Sequence, residues 1–202
     1  MVELGKRIFG AVTIRGDDGP SSLVLPASRP AGMMVFHVSE AGAIARFEPR
    51  PSEGVEGPAV WAIDEARLRN YLAPRECPRV TFYAGPQTTA GDIDRFLGSS
   101  AAVVAIESRW VDRLTRCRLY CYHLPAETFE LLDDCAGYHV SRVAVAPVRV
   151  DVLDDLPAEL RRRGVELRVL PNLWPLRDAV VASSLQFSMI RMRNALPREE
   201  ST

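Results

Sequence analysis

The chain has 202 residues, 25 basic against 26 acidic, a net charge of −1 and 47% hydrophobic side chains. A chain of this length can bury roughly 70% of the surface its unfolded form exposes, so it needs no disulfide or metal staple. The near-neutral balance offers no overall field for a nucleic-acid backbone or an anionic membrane, and no apolar run approaches the roughly 18–20 residues of a membrane span.

The expectation is therefore a soluble, cytoplasmic protein whose partner is a small molecule rather than nucleic acid or membrane. Residues 1–32, with their Gly16-Asp-Asp-Gly-Pro20 run and no sustained hydrophobic period, read as a poorly ordered extension without the apolar core of a signal peptide. A single globular domain then spans 33–202, opening at Met33-Met34. Four cysteines, Cys77, Cys117, Cys121 and Cys135, read as free thiols of a reducing compartment.

Strand-like runs fall at 34–38, 59–63, 79–84, 102–106, 118–124, 139–145, 149–153 and 165–170. Helical patterns fall at 41–46, 65–72, 90–97, 109–115, 126–132, 156–163 and 176–194, the last expected to be the deepest-packed helix. Thr89 with Asp92 resembles a capping box closed by Gly98, and Asp155 caps a helix that carries Pro157 in its first turn and stops at Gly164. Arg161-Arg162-Arg163 occupy that helix's last turn, where cations offset the macrodipole. Short strands interleaved with short helices predict an α+β (mixed α/β) domain, its mixed sheet strongly bent or split.

No glycine-rich nucleotide loop, zinc-protease helix or nucleophile elbow is present. Cys117, Cys121 and His123 suggest a zinc site, but they lie on a predicted strand. There, residues four apart are separated by about 13 Å, too far for two thiolates on one tetrahedral ion; no metal is expected. The informative block is Val35-Phe-His-Val-Ser39. On a strand His37 and Ser39 share a face, and an imidazole beside a hydroxyl suits a ribose diol or a phosphate. Arg50, held between Pro49 and Pro51, is a candidate phosphate partner. Trp61 and Trp110 read as packing residues, and Glu107 as a carboxylate for a site or as the cap of a helix starting near Ser108.

The blocks Phe36-His-Val-Ser39, Phe47-Glu-Pro-Arg-Pro51, Val60-Trp-Ala-Ile-Asp64, Arg79-Val-Thr-Phe-Tyr83, Gly137-Tyr-His-Val-Ser141 and Ser184-Leu-Gln-Phe-Ser188 resemble an uncharacterised bacterial family. More remotely, three blocks resemble the ADP-ribosyltransferase-like superfamily, which includes RNA 2′-phosphotransferases: His37-Val-Ser39, then Val60-Trp-Ala-Ile-Asp64 leading to Tyr71, then Tyr138-His-Val-Ser141 ahead of Val145-Ala-Pro147. The resemblance implies an ADP-ribosyltransferase-like fold and NAD as cofactor or substrate. It also implies His37 and His139 as catalytic groups, with Ser39, Arg50, Tyr71, Tyr138 and Ser141 as ligand contacts. The superfamily's catalytic glutamate would fall at Tyr138 or His139, and neither is a carboxylate. The resemblance is thus compatible with an atypical nucleotide enzyme and with a binding module that performs no chemistry.

Overall fold

The computed structural model describes residues 32–52, 54–134 and 136–198, so the expectation for 1–32 lies almost wholly outside the described residues. The protein is mixed α+β, with ten strands among the described residues in two sheets, one of six strands ordered β6-β7-β2-β1-β5-β8 and one of four ordered β10-β3-β4-β9. In chain order the strands are β1 (Met34–Ser39), β2 (Val60–Ile63), β3 (Arg79–Tyr83), β4 (Ala102–Glu107), β5 (Leu119–Pro125), β6 (Phe129–Asp133), β7 (Tyr138–Ser141), β8 (Arg149–Leu153), β9 (Val165–Leu170) and β10 (Gln186–Ile190). Two compact units divide the chain: one takes the chain up to His37 with Ala43–Arg67 and Cys121–Asp151, the other Val38–Gly42, Leu68–Tyr120 and everything from Val152 on.

In the first unit β2 is the hub. It runs antiparallel to β1 with Phe36 opposite Ile63, and antiparallel to β7 with Ala62 opposite His139. β7 in turn pairs with β6, which bulges between Leu131 and Asp133. The strands alternate sides, and both sides are covered: Val35, Phe36, Ala62, Ile63, Tyr122 and Val140 are all buried. Phe47 lies over one face, against the rings of His37 and Tyr122, with its backbone bridged to Val145.

In the second unit β4 is the central strand. All six of its residues are buried, matching the continuous apolar run that a strand covered on both faces requires. β3 pairs with it antiparallel and β9 parallel. The core on one face gathers Val80, Phe82, Phe96, Val103, Ala105, Leu173, Val180 and Leu185. Burying a side chain such as Phe82 stabilises by roughly 1.5–3 kcal/mol.

Among the described residues four α-helices accompany the sheets: α1 (Ala90–Asp92), continued by the wider π turn Ile93–Leu97, α2 (Val111–Arg116), α3 (Leu156–Arg162) and α4 (Trp174–Val181). Thr89 accepts from the Asp92 amide and Asp155 from the Ala158 amide, so both expected caps form. Gly98 and Gly164 both adopt positive φ where these segments end.

Three helical expectations are corrected. The pattern at 41–46 forms no helix; Gly42 there lies so close to the Tyr120 ring that a Cβ would overlap it. The pattern at 126–132 is one turn (Ala126–Thr128) followed by strand β6, since Phe129 and Leu131 pair with Ser141 and His139. The supposed long helix 176–194 breaks after Val181, and Gln186–Ile190 becomes β10 along β3. In the link between them Ser183 donates to the Val180 carbonyl, and the Ser184 hydroxyl and amide both donate to the Asp92 carboxylate.

Candidate functional site

The residues singled out in the sequence divide between the two units. Carrying the β1–β2 register on by one pair puts His37 opposite Ala62, and Ala62 opposes His139 on its other side. Opposed residues share a face, so the two imidazoles form a transverse row with an alanine between them, their backbones roughly 10 Å apart. His37 Nδ1 donates to the Trp61 carbonyl at 2.9 Å, which fixes its tautomer. His37 is half-buried beneath the Phe47 ring, whose centroid is 4.7 Å away, and His139 is 3% exposed.

Ser141, also on β7, is fully buried. Its hydroxyl lies 3.0 Å from both the Thr128 hydroxyl and the Val143 carbonyl and accepts from the Val143 amide, so the local turn uses its hydrogen-bonding capacity. Tyr138 sets its ring edge-on to Trp61, with centroids 5.7 Å apart. Arg50 has its backbone bridged to Ala59 and is exposed.

Ser39 and Tyr71 belong to the other unit. The Ser39 hydroxyl accepts from the Ala41 amide, closing the turn that follows β1. Tyr71 lies 5.9 Å beneath the guanidinium of Arg79, which is itself 2% exposed and donates to the carbonyls of Asn70, Pro74 and Cys77. Burial pushes the neighbouring Cys77 thiol up to about 12, so this cysteine is no nucleophile at neutral pH. Among the described residues, no three His, Cys, Asp or Glu side chains converge to hold a metal ion.

A different group of side chains does converge in this second unit. Glu40, Arg109, Asp112, Arg113, Arg116, Cys117 and Arg118 line a hollow of about 550 Å³. Helical geometry assembles three of its four arginines: Arg109, Arg113 and Arg116 follow the i, i+4, i+7 spacing along Ser108–Trp110 and α2, one face of a helix. Glu40 arrives from the turn after β1, where its Oε1 accepts from the Arg75 amide at 2.8 Å. Its other oxygen lies 3.9 Å from Arg113. The walls carry four guanidiniums against two carboxylates.

These arginines are not equally engaged. Arg116 pairs with Asp112 one turn back, an exposed contact of small energetic weight. Arg113 reaches Glu40 only at long range and also faces the Trp110 ring at 5.5 Å. Arg118 has no ion pair among the described residues. Arg109 is the fixed member: its Nε donates at 2.8 Å to Glu107, a carboxylate with no exposed surface, and its Nη2 donates to the Asn194 carbonyl. The second Glu107 oxygen accepts from the Leu196 amide. Glu107 makes no helix cap; it holds an arginine of the hollow and a loop of the C-terminal segment. Burial and nearby Glu40 raise the Cys117 thiol above its ordinary value.

Sequence reading missed Arg109, Arg113, Arg116 and Arg118 as a group. The signal was present in their spacing, but single arginines on a short helix look like an ordinary solvated face. The chain belongs to a family of unknown function, DUF6886, whose model matches residues 36–195. No curated protein and no solved structure matches the chain. No helix among the described residues is long and apolar enough to cross a membrane.

Proposed function

We propose that the unit built on β3, β4, β9 and β10 binds a small phosphate-bearing ligand of the nucleotide class in the arginine hollow. The observation that carries this reading is the set of four guanidiniums facing two carboxylates around about 550 Å³. Guanidinium donors match the geometry of phosphate oxygens, and hydrogen bonds to a charged acceptor are about twice as strong as neutral ones. The volume falls within the range of small-molecule sites, roughly 300–1,000 Å³. Arg109, locked by a buried carboxylate, is pre-organised and loses little freedom on binding, while Arg113 and Arg118 supply adaptable charge. Ser39 adjoins the wall residue Glu40 and offers a hydroxyl partner for a sugar. Calorimetric titration with ADP-ribose, NAD and inorganic phosphate tests the reading. Binding that weakens as salt rises is expected; no heat from any of them at millimolar concentration overturns it.

A second reading, transfer chemistry on NAD, is favoured by the shared row of His37 and His139 across Ala62. Two imidazoles on one strip of sheet suit proton transfer, although no carboxylate joins them in that row, where β6 contributes Leu131. This reading expects NAD consumption by the wild-type protein that is abolished in His37→Ala. An absence of turnover over hours leaves the protein a binding module.

A further inference from the structure

The two margins of the six-stranded sheet are β6 and β8, and they are finished differently. An edge strand exposes a row of unpaired backbone donors and acceptors, which proteins commonly blunt with bulges, charges or covering loops. β6 is interrupted by a bulge between Leu131 and Asp133, and Glu130, Leu131 and Leu132 are exposed on it. β8 presents an open apolar side. Val150 and Val152 stand 40% and 54% exposed on one side, and Val148, just before the strand, is 61% exposed. The opposite side carries Arg149 and Asp151, whose side chains pair with each other at 2.7 Å. Asp151 also meets His123 Nε2 of β5 at 2.8 Å.

We propose that β8 is a self-association edge whose partner is the β8 strand of a second copy of this chain. The strand's own pattern selects that occupant. In an antiparallel pair centred on Val150, the two Val150 residues face each other and Val148 lies opposite Val152 of the second copy. Arg149 then lies opposite Asp151 of that copy, and the reciprocal pair repeats the match. One face becomes a ladder of valines and the other two opposed charge pairs, the two favourable kinds of cross-strand contact. A two-fold dimer needs such a self-complementary patch, and an arbitrary edge does not provide one. β9, the corresponding edge of the other sheet, carries a similar alternation with Glu166 and Arg168, but its apolar side is not open in the same way: Val165 is buried and Leu167 only partly exposed.

Sedimentation velocity of the full chain over roughly 10–500 µM tests the proposal. The expected result is a concentration-dependent shift from one chain to two, abolished by Val150→Lys, a substitution at an exposed position that should leave the unfolding midpoint unchanged. R149D and D151R should each be monomeric alone, because each places like charges opposite one another. Mixed together they should form a heterodimer, since one chain then presents only carboxylates along the charged face and the other only guanidiniums. A wild-type chain that stays monomeric across the range overturns the proposal. So does a dimer that survives V150K, or R149D and D151R chains that fail to associate when mixed although both keep the wild-type circular dichroism spectrum.

Discussion

The six-stranded sheet and the arginine hollow handle polar side chains in opposite ways. On the sheet, Ser141 is committed to Thr128 and Val143, and His37 is tied to the Trp61 carbonyl beneath Phe47. Buried polar groups must find partners of this kind or incur the full desolvation penalty. In the hollow, guanidiniums outnumber carboxylates and stay accessible to water, with the Arg113 side chain 55% exposed. Several residues conspicuous in the sequence are thus engaged within the fold, whereas a cluster of ordinary-looking arginines carries charge beyond that of its neighbouring carboxylates. Burial plus internal partners marks a polar group used by the fold; a locked arginine beside looser ones marks a group prepared for something outside it.

The contrast can be broken most directly at the hollow. Charge reversal in the R113E/R118E double variant removes two guanidiniums and adds two repulsive carboxylates while leaving the sheet untouched. It should cost about 3 kcal/mol in binding of a phosphate-bearing ligand, on the order of a hundredfold in affinity, with an unchanged unfolding midpoint. Calorimetry alongside urea unfolding checks both parts.

Glu107→Leu attacks the support instead of the surface. It leaves the Leu196 amide and Arg109 without their buried acceptor, and should destabilise by about 1–3 kcal/mol. It should also weaken the ligand, because Arg109 loses its fixed position. A loss of stability without any change in affinity would separate Glu107 from the hollow.

In the first unit, Gly137 has φ +65°, and a Cβ there would come within 2.4 Å of Asp64 Oδ2. Gly137→Ala should therefore destabilise by about 1–2 kcal/mol in urea unfolding while leaving binding at the hollow unchanged. Loss of that binding would contradict the separation drawn here.

The smallest effect is one of pH. The side-chain hydrogen bond from Asn194, with Arg191 and Arg193 nearby, holds the Glu76 carboxyl below its usual range. A carboxylate depressed in the folded state contributes stability that is fully present above its unfolded value, about 4.3, and lost as pH falls through the folded one. Thermal midpoints should thus stay flat from neutral pH to about 5 and decline below about 4, less steeply in Glu76→Gln. An unaltered slope would remove Glu76 from the acid transition.

Much of the architecture was legible in the sequence. Continuous apolar runs such as Ala102–Ile106 specify buried strands whatever surrounds them, and Thr89 and Asp155 announce helix starts through their own hydrogen bonds. The errors fell where local pattern is ambiguous and tertiary pairing decides. Gln186–Ile190 carries both a helical and an alternating reading, and β3 selects the strand. Ala41–Arg46 has helical propensity, but in the fold it forms a turn in which Gly42 packs closely against the Tyr120 ring. The site was less legible for a related reason. Arg109, Arg113 and Arg116 advertise a shared face, but nothing local reveals that Glu107 is buried, that Leu196 returns to it, or that Glu40 comes from a turn some seventy positions earlier.

The most direct test is an amide chemical-shift map of the full chain titrated with ADP. The account predicts progressive shifts at Ser39, Glu40 and from Arg109 through Arg118, spreading to Asn194 and Leu196 through Arg109 and Glu107, with β2, β6 and β7 of the six-stranded sheet silent. Shifts centred on His37, Ala62 and His139 with a silent hollow, or no shifts at all, would contradict it.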